Sequence, residues 1–280
     1  IATFLWNNRR FPDRSNARQS TWRGRVVVQT IAEQVAGRDP EGKAGFYFAL
    51  QALGRSAPHR MVVAVSSAGA LTLLLVVMIG GSANGRFALQ IMILASLIAG
   101  FRYAITVPVE LASNWTIQMA WMGDERGYLA GVKHAGVVTL IVVPLLLLLP
   151  MHVALFGLGT ALVHTLCGFL LAVAALDAVF LGYQRLPFAC SYLPIENPKL
   201  VWPAGVTGAL LVAYGFAYVE QIALRTTLRT ATLCTALGAI VLMMKAADRL
   251  LRRERLAIDF WERPPLPTQR LGLNTSAYDM

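Results

Sequence analysis

Six stretches of this chain are long and apolar enough to cross a lipid bilayer: residues 61–82, 86–108, 129–149, 152–176, 201–219 and 227–246. A helix needs roughly 20 residues to traverse ~30 Å of hydrocarbon, and each window reaches about that length with at most one or two ionisable residues inside. The expected fold class is therefore all-α: a polytopic membrane protein, a bundle of about six transmembrane helices accompanied by cytoplasmic amphipathic helices. Its expected parts are a basic segment with an interfacial helix (1–60), the membrane domain (61–246) and a basic tail (247–280).

Charge orients the bundle. Of 25 Lys and Arg residues, ten precede the first window, from Arg9 to Arg60, and seven lie from Lys245 onward. Basic flanks are retained on the cytoplasmic side and attracted to anionic headgroups, so both ends are expected inside, in a bacterial inner membrane. Six spans satisfy that parity. No zinc-finger, helix-turn-helix or RNA-binding signature accompanies the basic charge, so the bilayer is the expected partner and nucleic acid is not. The first residues, IATFLW followed by NNRR, read either as the exit of a helix begun further upstream or as a processed terminus.

Two segments outside the windows are amphipathic. In KAGFYFALQALGRS, Phe46, Leu50 and Leu53 fall at i, i+4 and i+7, which suits a helix lying in the membrane interface or one packed beneath the bundle. Between the second and third windows, Pro108 breaks the helix, and Leu111, Trp115, Met119 and Met122 then share one face, a candidate contact segment for a cytoplasmic partner.

Chemistry-bearing residues are few. Cys167, Cys190 and Cys234 have no metal-ligand spacing and read as small apolar side chains. No HExxH, GxSxG or phosphate-binding loop is present, so neither catalytic residues, metal nor cofactor is expected. The fourth window places Gly157, Ala161 and Gly168 beside His164 at helical spacing, which marks a close-packed helix seam. His164 is expected near the midplane, either as a functional group or as a neutral imidazole bonded to a neighbouring helix. Arg102 and Asp177 are expected at equal depth, roughly 10 Å from the cytoplasmic surface at 1.5 Å per residue, either paired or reaching the interface separately. Lys133 reads as an ordinary snorkelling lysine. Spans three and four are expected to join at Pro150.

The segment QRLPFACSYLPIENPKL carries three prolines yet is too apolar for a solvated loop, and is expected to pack beneath the bundle. PFACSYLP at 187–194, with FYFALQALGRSAPHR at 46–60 and PVELASNW at 108–115, resembles an uncharacterised family of multi-pass proteins in bacterial genomes. Related members show PFTCSYLP followed by Gly-Lys, and ELRANW, so this chain departs at Ala189, at Ile195-Glu196 and at Ala112. The resemblance implies no catalytic residues. The element order is also similar to that of permeases of ABC-2 type exporters, which implies a permease-like component served by a separate ATPase and, as a further expectation, self-association into a homo-oligomer. A non-catalytic assembly subunit and an intramembrane enzyme centred on His164 are the alternative readings.

Overall fold

A computed structural model describes residues 30, 33–34, 39–80, 83–109, 125–181, 183, 185–188 and 198–253. These residues are overwhelmingly helical and contain no strand. Helix α1 (Pro40–Arg55) leads into α2 (Ala57–Gly80) and α3 (Ala83–Ala104). Helix α4 (Glu125–Gly136) continues through a π-helical turn (Val137–Val142) into α5 (Val143–Phe156). Helices α6 (Leu158–Phe180), α7 (Pro198–Ala223) and α8 (Thr227–Arg253) complete the order. Counting α4–α5 as one continuous span, six helices are long and apolar enough to cross a membrane.

Apolar composition alone would leave the helices interchangeable, and burial separates them. Helix α3 is the most enclosed and packs against α2, α5, α6 and α7, whereas α2 and α8 are mostly uncovered. The uncovered side chains, such as Leu71, Leu75, Leu211 and Leu242, are apolar. In water they would be a large aggregation-prone surface; in a bilayer they meet lipid tails at no cost.

Local signals fix the helix ends. Asp39 caps α1, its carboxylate accepting from the backbone N–H groups of Glu41 and Gly42 at 3.1 Å, with Pro40 at the first helical position. The π-helical turn ends at Val142, two residues before Pro144, where a regular helix would drive the ring into the carbonyl four residues earlier. Pro150, expected to end the third span, lies inside α5. A membrane helix tolerates an internal proline because neighbouring helices satisfy the freed carbonyl. The chain turns instead at Gly157, whose φ of 80° suits a residue without Cβ.

Helix α1 is a packing helix. Its Gly42, Gly45, Phe46, Ala49 and Ala52 are buried, and the crossing with α4 is so close that a Cβ on Gly131 would stand 1.9 Å from the Gly42 carbonyl oxygen. Small residues on both helices make that approach feasible. Phe46 is thus part of the main core, together with Leu94, Phe101, Leu176 and Phe180. Of the two placements that the Phe46/Leu50/Leu53 stripe allows, the structure shows the packing against α4 and the bundle.

At the end of the bundle where α1 lies, two loops close the core. The Val109 N–H donates to the Phe188 carbonyl (2.8 Å), the Phe188 N–H to the Ile105 carbonyl (3.0 Å), and the Tyr183 hydroxyl to Ile105 (3.3 Å). His59 Nε2 lies 2.9 Å from the Val107 carbonyl, which can only accept, so Nε2 carries the proton and Nδ1 accepts from Ser56 at 2.8 Å. Phe188 sits among Phe48, His59 and Phe101, and Leu186 beside it is buried. Residues from the FYFALQALGRSAPHR, PVELASNW and PFACSYLP motifs therefore meet at one place. The described part of the proline-rich segment packs into the bundle, as its apolar content requires.

A buried histidine–carboxylate cluster as candidate functional site

The hairpin turn at Gly157 folds α6 back along α5, and that brings His152 beside His164. Their ring centroids are 4.8 Å apart at an interplanar angle of 75°. His164 Nδ1 is 2.9 Å from Glu220 Oε1, so the α6 imidazole is bonded to a carboxylate on α7. His152, His164, Glu220 and Gln90 all have no exposed surface. Inside a membrane-spanning bundle this is an expensive set of side chains to bury.

Gln90 reaches the cluster from α3. Its Nε2 donates to the His164 backbone carbonyl at 2.9 Å, an oxygen that also faces the helical N–H four residues on, at Gly168. A Cβ on Gly168 would lie 1.7 Å from Gln90 Nε2. The glycine therefore leaves room for a side-chain amide to share a helix carbonyl. Phe87 and Phe156 are stacked at 4.3 Å, with His164 edge-on to both at 5.2 and 5.8 Å. One turn along α6, the Cys167 and Cys234 sulfurs approach to 3.8 Å between α6 and α8.

Several polar atoms of this cluster have no hydrogen-bond partner among the described residues: Gln90 Oε1, both ring nitrogens of His152, His164 Nε2 and Glu220 Oε2. No group of three His, Cys, Asp or Glu side chains among the described residues is arranged to hold a metal ion.

The residues singled out in the sequence divide between two ends of α6. His164 lies seven residues, or ~10 Å, from the Gly157 turn. The helix begins at Leu158 and not at residue 152, so its midpoint falls at residue 169 and His164 stands five residues, ~8 Å, toward the Gly157 end. Ala161 is fully buried. Gly157 is the turn residue, with open space around its Cβ position, so it takes no part in a seam; Gly168 admits a side chain and not a helix backbone.

Asp177, at the other end of α6, forms its ion pair with Lys133 of α4, and both are at least four-fifths covered. Arg102 instead lies over the Tyr183 ring, 5.1 Å from its centroid, and is exposed. The expected Arg102–Asp177 pair is thus replaced by Lys133–Asp177, and Lys133 is more than a snorkelling lysine. The reason is rotational: α6 presents Asp177 toward α4, while Arg102 leaves α3 on its uncovered side. Leu111, Trp115, Met119 and Met122 lie outside the described residues.

Glu220, Gln90 and His152 escaped the sequence reading. Glu220 stands just past residue 219, where the fifth window ends; α7 continues to Ala223. Its signal was a carboxylate continuing an apolar helix without a break. A turn at Pro150 puts His152 on the same helix as His164, twelve residues or ~18 Å away, and so hides the contact that the turn at Gly157 creates. No known protein family matches this chain, and no curated protein or solved structure is similar enough to it to support an argument by relationship.

Proposed function

We propose that this multi-pass membrane protein is a permease-type transport protein whose translocated or coupling species engages the His164–Glu220 pair. The observation that carries this reading is the pair itself: an imidazole and a carboxylate, both wholly buried, joining two membrane-spanning helices at 2.9 Å. A purely structural polar contact would be expected to satisfy its surroundings. Here four side chains that touch one another retain unpaired polar atoms, and a site that exchanges a proton or ligand needs such open valences. The titratable neighbours are His152 on α5, Cys167 on α6 and Cys234 on α8. Protonation of Glu220 or His164 changes the bond tying α6 to α7, which couples proton occupancy to helix packing. Under this proposal the α1 end of the bundle faces the cytoplasm of a bacterial cell, a reading supported by the basic flanks.

The test is proton flux in liposomes containing the purified protein and an entrapped pH-sensitive dye, driven by a potassium diffusion potential. Wild-type protein is expected to acidify the lumen faster than protein-free liposomes, and Glu220→Gln and His164→Gln are expected to remove most of the excess. Unchanged flux in folded Glu220→Gln protein would contradict the proposal. So would wild-type flux no greater than that of empty liposomes.

A second reading keeps the permease role and supplies energy from a separate ATPase. It is supported by the element order: α1 packed beneath the bundle, two spans, the connecting segment 110–124, then four spans. This resemblance is one of architecture alone. Co-purification of a nucleotide-hydrolysing subunit, lost when Trp115 and Met119 are replaced by Glu, would support it. Purification without such a subunit, together with absent flux, would favour the assembly role.

A further inference from the structure

From the hydrogen-bond inventory around His164 we infer that the cluster binds a small monovalent cation that donates several hydrogen bonds, of the ammonium class. The inference deepens the transport reading and rests on the cluster being a ligand site. When His164 Nδ1–H donates to Glu220 Oε1, His164 Nε2 is left with a lone pair and no partner. Glu220 Oε2 and Gln90 Oε1 are acceptors without partners as well. A neutral His152 adds one acceptor and one donor, both unpaired. The unmet demand is four acceptors against one donor, all on side chains with no exposed surface.

That imbalance selects a ligand. An anion or a carbonyl compound would bring more acceptors to a site already rich in them. An alkali cation would satisfy lone pairs by charge alone and demands a compact oxygen shell, whereas two of the open acceptors are imidazole nitrogens. An ammonium ion offers four N–H donors. Glu220 supplies the one carboxylate of the cluster, a group that can match a single positive charge. Phe87 and Phe156, both within ring contact of His164, keep the surroundings of these acceptors apolar. Hydronium shares the donor-rich chemistry, so the experiment must separate the two.

The experiment is thermal unfolding of the full chain in lipid nanodiscs at fixed pH and ionic strength, with ammonium chloride exchanged stepwise for rubidium chloride. Rubidium is close to ammonium in size and has no donors. Ammonium is expected to raise Tm by several degrees in a saturable manner, rubidium to leave it unchanged, and Glu220→Gln to abolish the response. Should Glu220→Gln fail to fold, His152→Leu serves in its place: the His152 nitrogens have no hydrogen-bond partner among the described residues, so their loss breaks none of the bonds described, and a weaker ammonium response is expected. An equal response to rubidium, or none to ammonium, overturns the inference. If proton flux depends on Glu220 while ammonium has no effect, hydronium is the species and the transport reading stands. If ammonium binds but no flux occurs, the transport reading falls and the site remains.

Discussion

Gly168 shows how much one absent side chain decides. The Gln90 amide can reach the His164 carbonyl because no Cβ stands in its way; Gly168→Ala would place one 1.7 Å from Gln90 Nε2. The amide must then leave, orphaning a buried polar group, and the expected loss is about 1–2 kcal/mol in thermal or denaturant unfolding. Adding Gln90→Ala to that variant should recover part of the loss, because the clash and the stranded amide go together. Additive losses would mean that Gln90 and Gly168 do not meet. The Lys133–Asp177 pair admits a cycle of the same kind. Lys133→Gln and Asp177→Asn each strand a charge and should cost about 2–3 kcal/mol, reduced from the fully buried case by the partial exposure of Lys133, while the double variant should cost less than the sum. Arg102→Gln is expected to show no coupling to Asp177→Asn, since Arg102 lies over Tyr183.

At the scale of elements, the α1–α4 crossing depends on backbone proximity. A Cβ on Gly45 would stand 2.2 Å from the Tyr128 carbonyl oxygen, and one on Gly131 1.9 Å from that of Gly42. Backbone atoms cannot step aside as a flexible side chain does, so Gly131→Ala is expected to separate the helices at a cost of about 3 kcal/mol. Gly54→Ala is the internal control: nothing lies within 4 Å of its Cβ position, and alanine should be neutral or slightly stabilising in a helix. A Gly131→Ala protein that unfolds like Gly54→Ala would contradict the crossing.

The spans themselves were legible in the sequence because the bilayer sets a length and polarity requirement that composition alone satisfies. The turn between spans three and four was not. A proline in water ends a helix, and Pro150 lies inside this one, as internal prolines can in membrane-spanning helices. Which faces meet was also hidden. Hydropathy is nearly uniform around these helices, so it gives no rotation about the axis, and Lys133, which reads as a snorkelling lysine, could not be recognised as the partner of Asp177.

For the whole molecule, α6 is the helix on which the account turns. Near its Gly157 end it holds His164 against Glu220 of α7, and near its other end Asp177 against Lys133 of α4. These ionisable contacts are thirteen residues, or ~20 Å, apart along one helix. Between them lies apolar packing that includes Ala172 and Leu176. His164 was visible in the sequence as an intramembrane histidine, but its meaning depends on a carboxylate 56 residues away, which no local pattern announces. The central claim, that these two side chains are bonded inside the bilayer-spanning bundle, is tested most directly by solid-state NMR in lipid, with 15N on histidine and 13C on glutamate side chains. The chain has four histidines, and His164→Gln identifies the signal of interest by removing it. The account predicts a dipolar coupling from the His164 Nδ1 to a glutamate carboxyl carbon that corresponds to a hydrogen-bonded contact and disappears in Glu220→Gln. Absence of that coupling in folded wild-type protein, or its persistence in Glu220→Gln, would contradict it.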